Sequence, residues 1–514
     1  IKLAKANRIK DTDAGYVAEM ARDYMEKTYG EEVYRAGYRV YTTIDSKLQT
    51  AANQAVRRRL LQFDQGKLYR GVRGHVTLPA AAPSDVLERQ YRRLLFPYPN
   101  APSLVLGLVL EVKEDKTRVW TRDYGTITIP FSGLSWARRK NQADIVRASD
   151  VLKAGDVIDM QPGKSGISNW RLAQVPEAQA ALVSLDSRDG AIRALVGGYS
   201  FATSSYNRAI QGRGRQVGSA FKPFIYAAAL DKGLTPATVM LDAPFTQGTW
   251  SPENANGKYS GPMSMREALV WSKNMVSIRV LKRIGIDYSV NFISQFGFEK
   301  KRLGRDLSLA LGSYEFTPLE VARGYAAFAN LGYLVNPYYI THITLGDKKL
   351  YQAAPVAATE DKKALNDGEK PAPRVISTAN AWLMNSMMHD VTTRGTGART
   401  NSLARTDLAG KTGTTNDVKD AWFAGYNPKL VTITWLGYDN PRTLGANESG
   451  SSLAVPMWID YMGKALSGKK MAFWEKPTGL TTAKVNKNTG DMAGAFTEDD
   501  DTQYEVFISK HLPT

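Results

Sequence analysis

Apolar residues near the start of the chain recur at helical spacing. Val17, Met20, Ala21, Tyr24 and Met25 make one stripe over residues 12–30, with Asp13 placed to cap it and Gly30 to close it. The texture then turns to alternation over 38–44, which predicts a strand. Leu48, Ala52, Ala55 and Leu60 restore the helical period, behind Asp45 or Ser46 as cap and Gln49 as the second half of a capping box. From about Gly71 the apolar runs become short. Residues 104–112, 117–121, 126–130 and 157–161 are β-rich and are broken by Lys113-Glu114-Asp115, Asp123-Tyr124-Gly125 and Ala154-Gly155-Asp156. That rhythm predicts a small β-barrel of the oligosaccharide/oligonucleotide-binding type, either a docking module or a pedestal, since no aromatic stacking pattern stands out.

A hairpin is predicted where 181–186 and 191–196 flank Ser187-Arg188-Asp189-Gly190. Three further strands are expected at 406–411, 421–426 and 430–438, and the residues between the two groups read as helical. Thr317-Pro318-Leu319-Glu320 is the clearest helix start, with a cap, a proline in first position and a glutamate three residues on. The order implies a mixed α/β fold: an antiparallel sheet built from an early hairpin and a late meander, with a helical lobe inserted between them. The expected division is 1–70 linker, 71–174 inserted β domain, 175–470 catalytic domain and 471–514 tail. Residues 362–373 read as a polar surface loop.

A chain of 514 residues needs two or three cores. It has no cysteine, which removes thiol chemistry, disulfides and thiolate metal sites. The net charge of +17 includes clusters such as Arg57-Arg58-Arg59, Arg92-Arg93, Arg138-Arg139-Lys140 and Lys300-Lys301-Arg302. Each cluster taken singly reads as solvated surface; their sum favours an anionic partner, a membrane surface or a carboxylate-bearing polymer. No nucleic-acid-binding signature accompanies the charge, so no nucleic-acid partner is expected. No apolar run reaches the roughly 20 residues that span a bilayer. The chain opens on Ile1, and no signal peptide is visible, so a trimmed or partial chain is expected. His75, His342, His389 and His511 have no ligand spacing, and Glu498-Asp499-Asp500-Asp501 lacks the glycine and closing glutamate of a calcium loop, so no metal or cofactor is expected.

The chemistry concentrates in three segments: Ser219-Ala220-Phe221-Lys222, Ser272-Lys273-Asn274 and Lys411-Thr412-Gly413-Thr414. In this order they match the three-part signature of serine enzymes acylated by penicillin-like or D-alanyl peptide substrates. A second S-x-x-K at Ser467 and further S-x-N triplets at Ser205 and Ser289 lack that order. Phe221, Phe224, Ile225, Ala228 and Ala229 put Ser219 at a helix start, with Lys222 one turn on and on the same face. Ser219 is the expected nucleophile and Lys222, neutral through burial and a nearby Lys411, the general base. Ser272 would relay a proton to the leaving amine and Asn274 would hold a substrate amide. Thr412 and Thr414 would offer hydroxyls to a terminal carboxylate, Lys411 would supply charge, and Gly413 would let substrate approach. The N–H groups of Ser219 and Thr414 would form an oxyanion hole. Arg394-Gly395-Thr396 could line the cleft or form a turn.

Beyond these motifs the chain resembles the class A penicillin-binding proteins. The resemblance includes residues 37–44, Trp170-Arg171-Leu172-Ala173-Gln174-Val175-Pro176-Glu177, Leu195-Val196-Gly197-Gly198, Arg215 to Phe224, Ser308 to Ser313 and Lys411 to Thr415. It implies the penicillin-binding serine transpeptidase fold, a five-stranded sheet with helices on both faces. It also implies a D,D-transpeptidase at the periplasmic face of the inner membrane that cross-links peptidoglycan stem peptides ending in D-Ala-D-Ala and is covalently acylated at Ser219 by β-lactams. The family's membrane helix and glycosyltransferase domain have no counterpart in these residues, so glycan polymerisation is not expected here and membrane association would come from a segment outside the chain. A glutamate-driven β-lactamase is disfavoured because no Glu-x-x-x-Asn follows Ser272 before Gly410. A D,D-carboxypeptidase stays open, because acceptor choice is not written in the motifs. So does a β-lactam sensor or non-catalytic wall scaffold, against which Lys222, Ser272 and Lys411 argue.

Overall fold

Residues 222–231 carry almost nothing but apolar side chains, and a helix that is apolar all round has to be surrounded. In the computed structural model, which describes residues 12–139, 144–163 and 166–513, every residue of this helix from Lys222 to Leu230 is buried. It is the axis of the catalytic unit. The chain forms two compact units, one of residues 1–56 with 180–514 and one of residues 57–179. Lys140, in one of the basic clusters, and residues 1–11 of the expected linker lie outside the described residues.

The catalytic unit holds a five-stranded sheet. Its strands are β1 (Gln179–Asp186), β2 (Ile192–Val196), β3 (Ala409–Thr414), β4 (Asp420–Tyr426) and β5 (Leu430–Gly437), in the order β3-β4-β5-β1-β2. The pairs β1–β2, β3–β4 and β4–β5 are antiparallel. The early hairpin and late meander thus meet in one sheet, as their patterns predict. The third expected strand starts at Ala409 instead of 406, which brings all of Lys411-Thr412-Gly413-Thr414 onto edge strand β3. The helical lobe between them includes α1 (Lys222–Asp231), α2 (Met265–Val270), α3 (Asn274–Ile284), α4 (Pro318–Ala329) and α5 (Thr378–Thr393), and α6 (Val455–Ala465) follows the sheet. The expected cap of α4 is present: Glu320 N–H donates to Thr317 Oγ1 at 3.2 Å and Thr317 N–H to Glu320 Oε2 at 2.7 Å. Beneath the nucleophile segment, Phe224 packs on Phe298 and Phe296 at ring-centroid distances of 4.9 and 5.1 Å. Each such fully buried ring contributes about 1.5–3 kcal/mol.

The N-terminal helices form close to where the pattern puts them, with different caps. Helix Gly15–Tyr29 has no side-chain cap, and the Asp13 carbonyl instead accepts from Asn53. In helix Ser46–Gln65 the cap is Asp45, whose Oδ1 accepts from the N–H groups of Lys47 and Leu48. Gln49 does not close a capping box. Its buried amide pairs with the backbone of Leu195 on β2, accepting at 2.9 Å and donating at 3.0 Å. A planar amide on the free side of an edge strand satisfies both of that residue's backbone groups, which outweighs capping.

The second unit is an antiparallel sheet with the strand order Gly74–His75, Asp156–Gly163, Val105–Val112, Lys116–Thr121, Gly125–Pro130, and Gly166–Ala173 pairs with Asp156–Gly163. Val109, Val119, Ile129, Ile158, Trp170 and Leu172 fill its interior. Helix Ser84–Leu94 and strand Gly166–Ala173 have no counterpart among the predicted elements. The helix buries none of its residues, so its apolar stripe is thin.

Residues 471–514, expected as a tail, contain a hairpin in the catalytic unit, Leu480–Asn486 with Thr502–Ile508. Arg266 on α2 fastens it: Nε and one terminal nitrogen each donate at 2.8 Å to the carboxylate of Glu505, which is only 3% exposed, and the other reaches Asp390 at 3.1 Å. Replacing Arg266 by Met leaves the Glu505 carboxylate buried without its partner, which costs about 3–5 kcal/mol. The expected outcome is a lowered Tm, with faster amide exchange across 480–508 than across β3–β5; an unchanged exchange pattern would refute the anchoring role.

Candidate active site

Ser219 lies in a single 3₁₀ turn, Gly218–Phe221, that runs straight into α1. The turn sits against β3 because three glycines remove side chains where backbones meet. Gly218 has φ +62°, and a Cβ there would lie 2.8 Å from the Thr414 carbonyl oxygen. A Cβ on Gly312 would lie 2.0 Å from the Gly218 carbonyl oxygen, and one on Gly413 2.6 Å from that of Val217. Gly413, expected to make room for substrate, makes room for the nucleophile turn. Arg215 anchors the approach to this turn, with Nε 2.7 Å from Asp420 Oδ1.

Ser272 occupies the turn between α2 and α3 at φ +57°, a left-handed conformation that costs a non-glycine residue about 1–2 kcal/mol. It joins two lysines. Lys411 Nζ donates to Ser272 Oγ at 2.8 Å, and Lys222 Nζ is 3.2 Å from the same oxygen. Lys222 Nζ also donates to the Ser272 carbonyl at 2.8 Å and to Asn274 Oδ1 at 2.7 Å, whereas Ser219 Oγ makes no hydrogen bond among the described residues. Two carbonyl oxygens thus engage two N–H bonds of Lys222, and its third polar neighbour is Ser272 Oγ.

Both amines are fully buried. Burial, and then the charge of Lys411, push Lys222 well below the usual lysine range, against an opposing pull from Asp242. Burial alone brings Lys411 down to about 7. Both amines are thus pushed toward the neutral form, and the positive charge of Lys411 favours loss of the proton from Lys222.

The structure brings together every expected site residue, and two of them have further partners within the protein. Asn274, expected to hold a substrate amide, lines the cleft while its Oδ1 accepts from Lys222 Nζ and its Nδ2 donates to the Glu253 carbonyl, both at 2.7 Å. Gly413 faces the nucleophile turn, as above. Ser219, Ser272, Asn274, Thr412 and Thr414 line one cleft of about 1180 Å³. Thr396 lines it too, with Oγ1 2.7 Å from Thr412 Oγ1, while Arg394 turns away to Glu267. Thr414 Oγ1 accepts from the Gly450 N–H at 3.0 Å, so its own hydrogen is free to donate.

Four contributors escaped the sequence. Asp242 and Asn254 are buried polar residues beneath the S-x-N turn, and Lys487 and Gln503 of the C-terminal hairpin line the cleft. Nothing local distinguishes a buried aspartate or asparagine from a solvated one. The hairpin's register pattern is diluted because its strands are only half-buried.

Comparison with known proteins agrees with this geometry. The chain matches the penicillin-binding protein transpeptidase domain over residues 180–457 and the penicillin-binding protein OB-like domain over 69–178. It is 40% identical to penicillin-binding protein 1A of Pseudomonas aeruginosa, across 98% of this chain and 66% of that protein. It is 41% identical to penicillin-binding protein 1A of Neisseria meningitidis, across 92% of this chain and 58% of the other. The chain thus spans about three-fifths to two-thirds of the length of the curated relatives it matches. The crystal structure of penicillin-binding protein 1A from Haemophilus influenzae superposes with a TM-score of 0.86 at 36% identity, over 98% of this chain and 77% of that one.

The close approach at Gly218 gives a direct test. Replacing Gly218 by Ala combines a left-handed φ with a contact on the Thr414 carbonyl, so β3 and the turn must separate. Acylation of Ser219 by a reactive serine probe is expected to fall by about a hundredfold, in keeping with an ångström-scale misplacement, while far-UV circular dichroism stays the same. An unchanged acylation rate would contradict the packing described here.

Proposed function

Since the chain belongs to the penicillin-binding proteins, we propose that it is a peptidoglycan D,D-transpeptidase working through an acyl-Ser219 intermediate. The observation that carries this reading is the buried Lys411–Ser272–Lys222 chain at the foot of a cleft that Ser219 also lines. Ser219 Oγ attacks the carbonyl carbon before the terminal D-alanine of a stem peptide, and Lys222 Nζ takes the hydroxyl proton as general base. The N–H groups of Ser219 and Thr414 hold the oxyanion. As the peptide C–N bond breaks, the proton passes from Lys222 through Ser272 Oγ to the departing amine of D-alanine. The hydroxyls of Thr412 and Thr414 hold the terminal carboxylate, and Lys411 supplies positive charge from beneath. The acceptor amine of a second stem peptide then attacks the acyl carbon, gives its proton back along the same chain and releases Ser219.

A β-lactam carries out the first half only. Its ring C–N bond breaks as Ser219 Oγ bonds to the carbonyl carbon, but the leaving nitrogen stays tethered, so the adduct persists. We place the enzyme at the periplasmic face of the inner membrane, held by a segment outside this chain; support comes from the greater length of its relatives. Among the described residues, no helix is long and apolar enough to cross a membrane. The OB-like unit is assigned no binding role.

Intact-protein mass after incubation with a simple penicillin should rise by one drug molecule, mapped to the peptide containing Ser219 and stable for hours. Ser219→Ala is expected to abolish the adduct, and Lys222→Ala to slow its formation by about 10²–10⁴-fold at neutral pH. A short-lived adduct with continuing drug consumption would mean hydrolysis, and no adduct would overturn the reading.

The two amines also set a pH profile. Acylation needs Lys222 neutral and carboxylate binding needs Lys411 charged. The rate constant for acylation at low penicillin concentration should therefore be bell-shaped. It should rise as Lys222 loses its proton and fall on the alkaline side as Lys411 does so near pH 7 in the free enzyme. A flat profile from pH 5 to 9 would contradict this ordering.

A further inference from the structure

Asp242, the last residue of strand Val239–Asp242, has a carboxylate with no exposed surface, and it lies beneath the turn that carries Ser272. Burying a carboxylate is costly unless its oxygens are satisfied. Here they are: Oδ1 accepts from Asn254 Nδ2 at 2.7 Å, and Oδ2 accepts from the Ser260 N–H at 2.8 Å and lies 3.2 Å from Lys273 Nζ. Asn254 is held further by a 2.8 Å bond from Nδ2 to the Lys258 carbonyl, and this fixes which way its amide faces. Its Oδ1 then accepts from the N–H groups of Asn274 at 2.8 Å and Met275 at 3.4 Å. Lys273 stands at the N-cap of α3 without a side-chain cap, so Asn254 caps that helix from a distant loop. Asn274, thus seated, presents Oδ1 to Lys222 Nζ.

We propose that Asp242 is a positioning residue for acylation: through Asn254 it seats Asn274, and through Asn274 it fixes the Lys222 amine. The proposal rests on the transpeptidase reading above. Asp242 never touches substrate, and its action is of two kinds. One is geometric, since Asn274 Oδ1 is the shortest of the contacts that fix the Lys222 amine. The other is electrostatic, since the Asp242 carboxylate favours the protonated form of Lys222 and Lys411 opposes it. Besides these two, the titratable groups that face the cluster are Lys273, paired with Asp242, and Tyr226 on α1, whose hydroxyl is 3.2 Å from Ser277 Oγ on α3. Removing the carboxylate should therefore do two separable things, one to the height of the pH profile and one to its position.

The test is the acylation rate of the full chain by a fluorescent penicillin, measured from pH 4.5 to 9 for wild type, Asp242→Asn, and Asp242→Asn combined with Lys273→Met. The double variant removes both members of a buried ion pair; that is tolerated where loss of one member is not, so it keeps the test readable if the single variant fails to fold. In whichever variant folds, the plateau is expected to fall by between about tenfold and a hundredfold. In Asp242→Asn the acid limb is also expected to shift to lower pH, because Lys222 loses an anionic neighbour; the double variant, which removes a cation with the anion, is read by its plateau. A plateau at the wild-type level in either variant, or a fall in Asp242→Asn with the acid limb unmoved, would overturn the inference while leaving the transpeptidase reading intact. A wild-type chain that takes no label would overturn both.

Discussion

Two fully buried lysine amines, neither in an ion pair with a carboxylate among the described residues, are the condition on which the catalytic unit is built. An amine in that setting is unstable as an ammonium. The protein sets the two apart by ordering them: Lys222 beside Lys411, with Ser272 Oγ between. The surrounding fold serves to keep that pair dry. Helix α1 is buried on all sides, β3 lies against the nucleophile turn, and aromatic rings close the space below. An exposed Lys222 would be an ordinary cation and no base.

The same demand explains where glycine and strain collect. Lys411 on β3 can reach Ser272 only if that strand and the Ser219 turn come closer than side chains permit, and Gly218, Gly312 and Gly413 are the residues that yield. Ser272 itself cannot yield, because its hydroxyl is needed. It accepts a positive φ at a cost that a glycine would avoid. Its neighbours hold it there through Asp242, Asn254 and Asn274, a hydrogen-bonded support below the turn.

Much of this was legible in the residues. The short apolar runs at 181–186, 191–196, 421–426 and 430–438 yield strands of the sheet, and the order of the three motifs places Ser219, Lys222, Ser272 and Lys411 at one site. What the residues leave open shares a cause. Gln49 reads as half of a capping box and instead completes the backbone pairing of Leu195, far away in sequence. Asn274 reads as a hand for substrate, and the fold also makes it a clamp for Lys222. Gly413 reads as space for a ligand, and the fold also uses that space for Val217. In each case the residue type announces a capacity, to accept, to donate or to be small, while the partner is chosen by the fold. Asp242 and Asn254 were missed for the same reason.

The C-terminal hairpin has a bearing on how such a cleft is assembled. The matched transpeptidase domain ends at residue 457, yet Lys487, Asn488 and Gln503 form part of the cleft wall. A wall segment outside the motif-bearing body, tied to it by the bidentate Arg266–Glu505 clasp and by the packing of Val485 and Phe507 on Ala237, presents cleft-lining side chains that do not touch the buried amines. The three motifs and this part of the cleft wall thus come from separate stretches of the chain. A fragment cut where the matched domain ends would sever α6 within its first turn and lose the buried Trp458, Tyr461 and Met462, so the motif-bearing body and its wall segment are tied through the core as well as at the cleft.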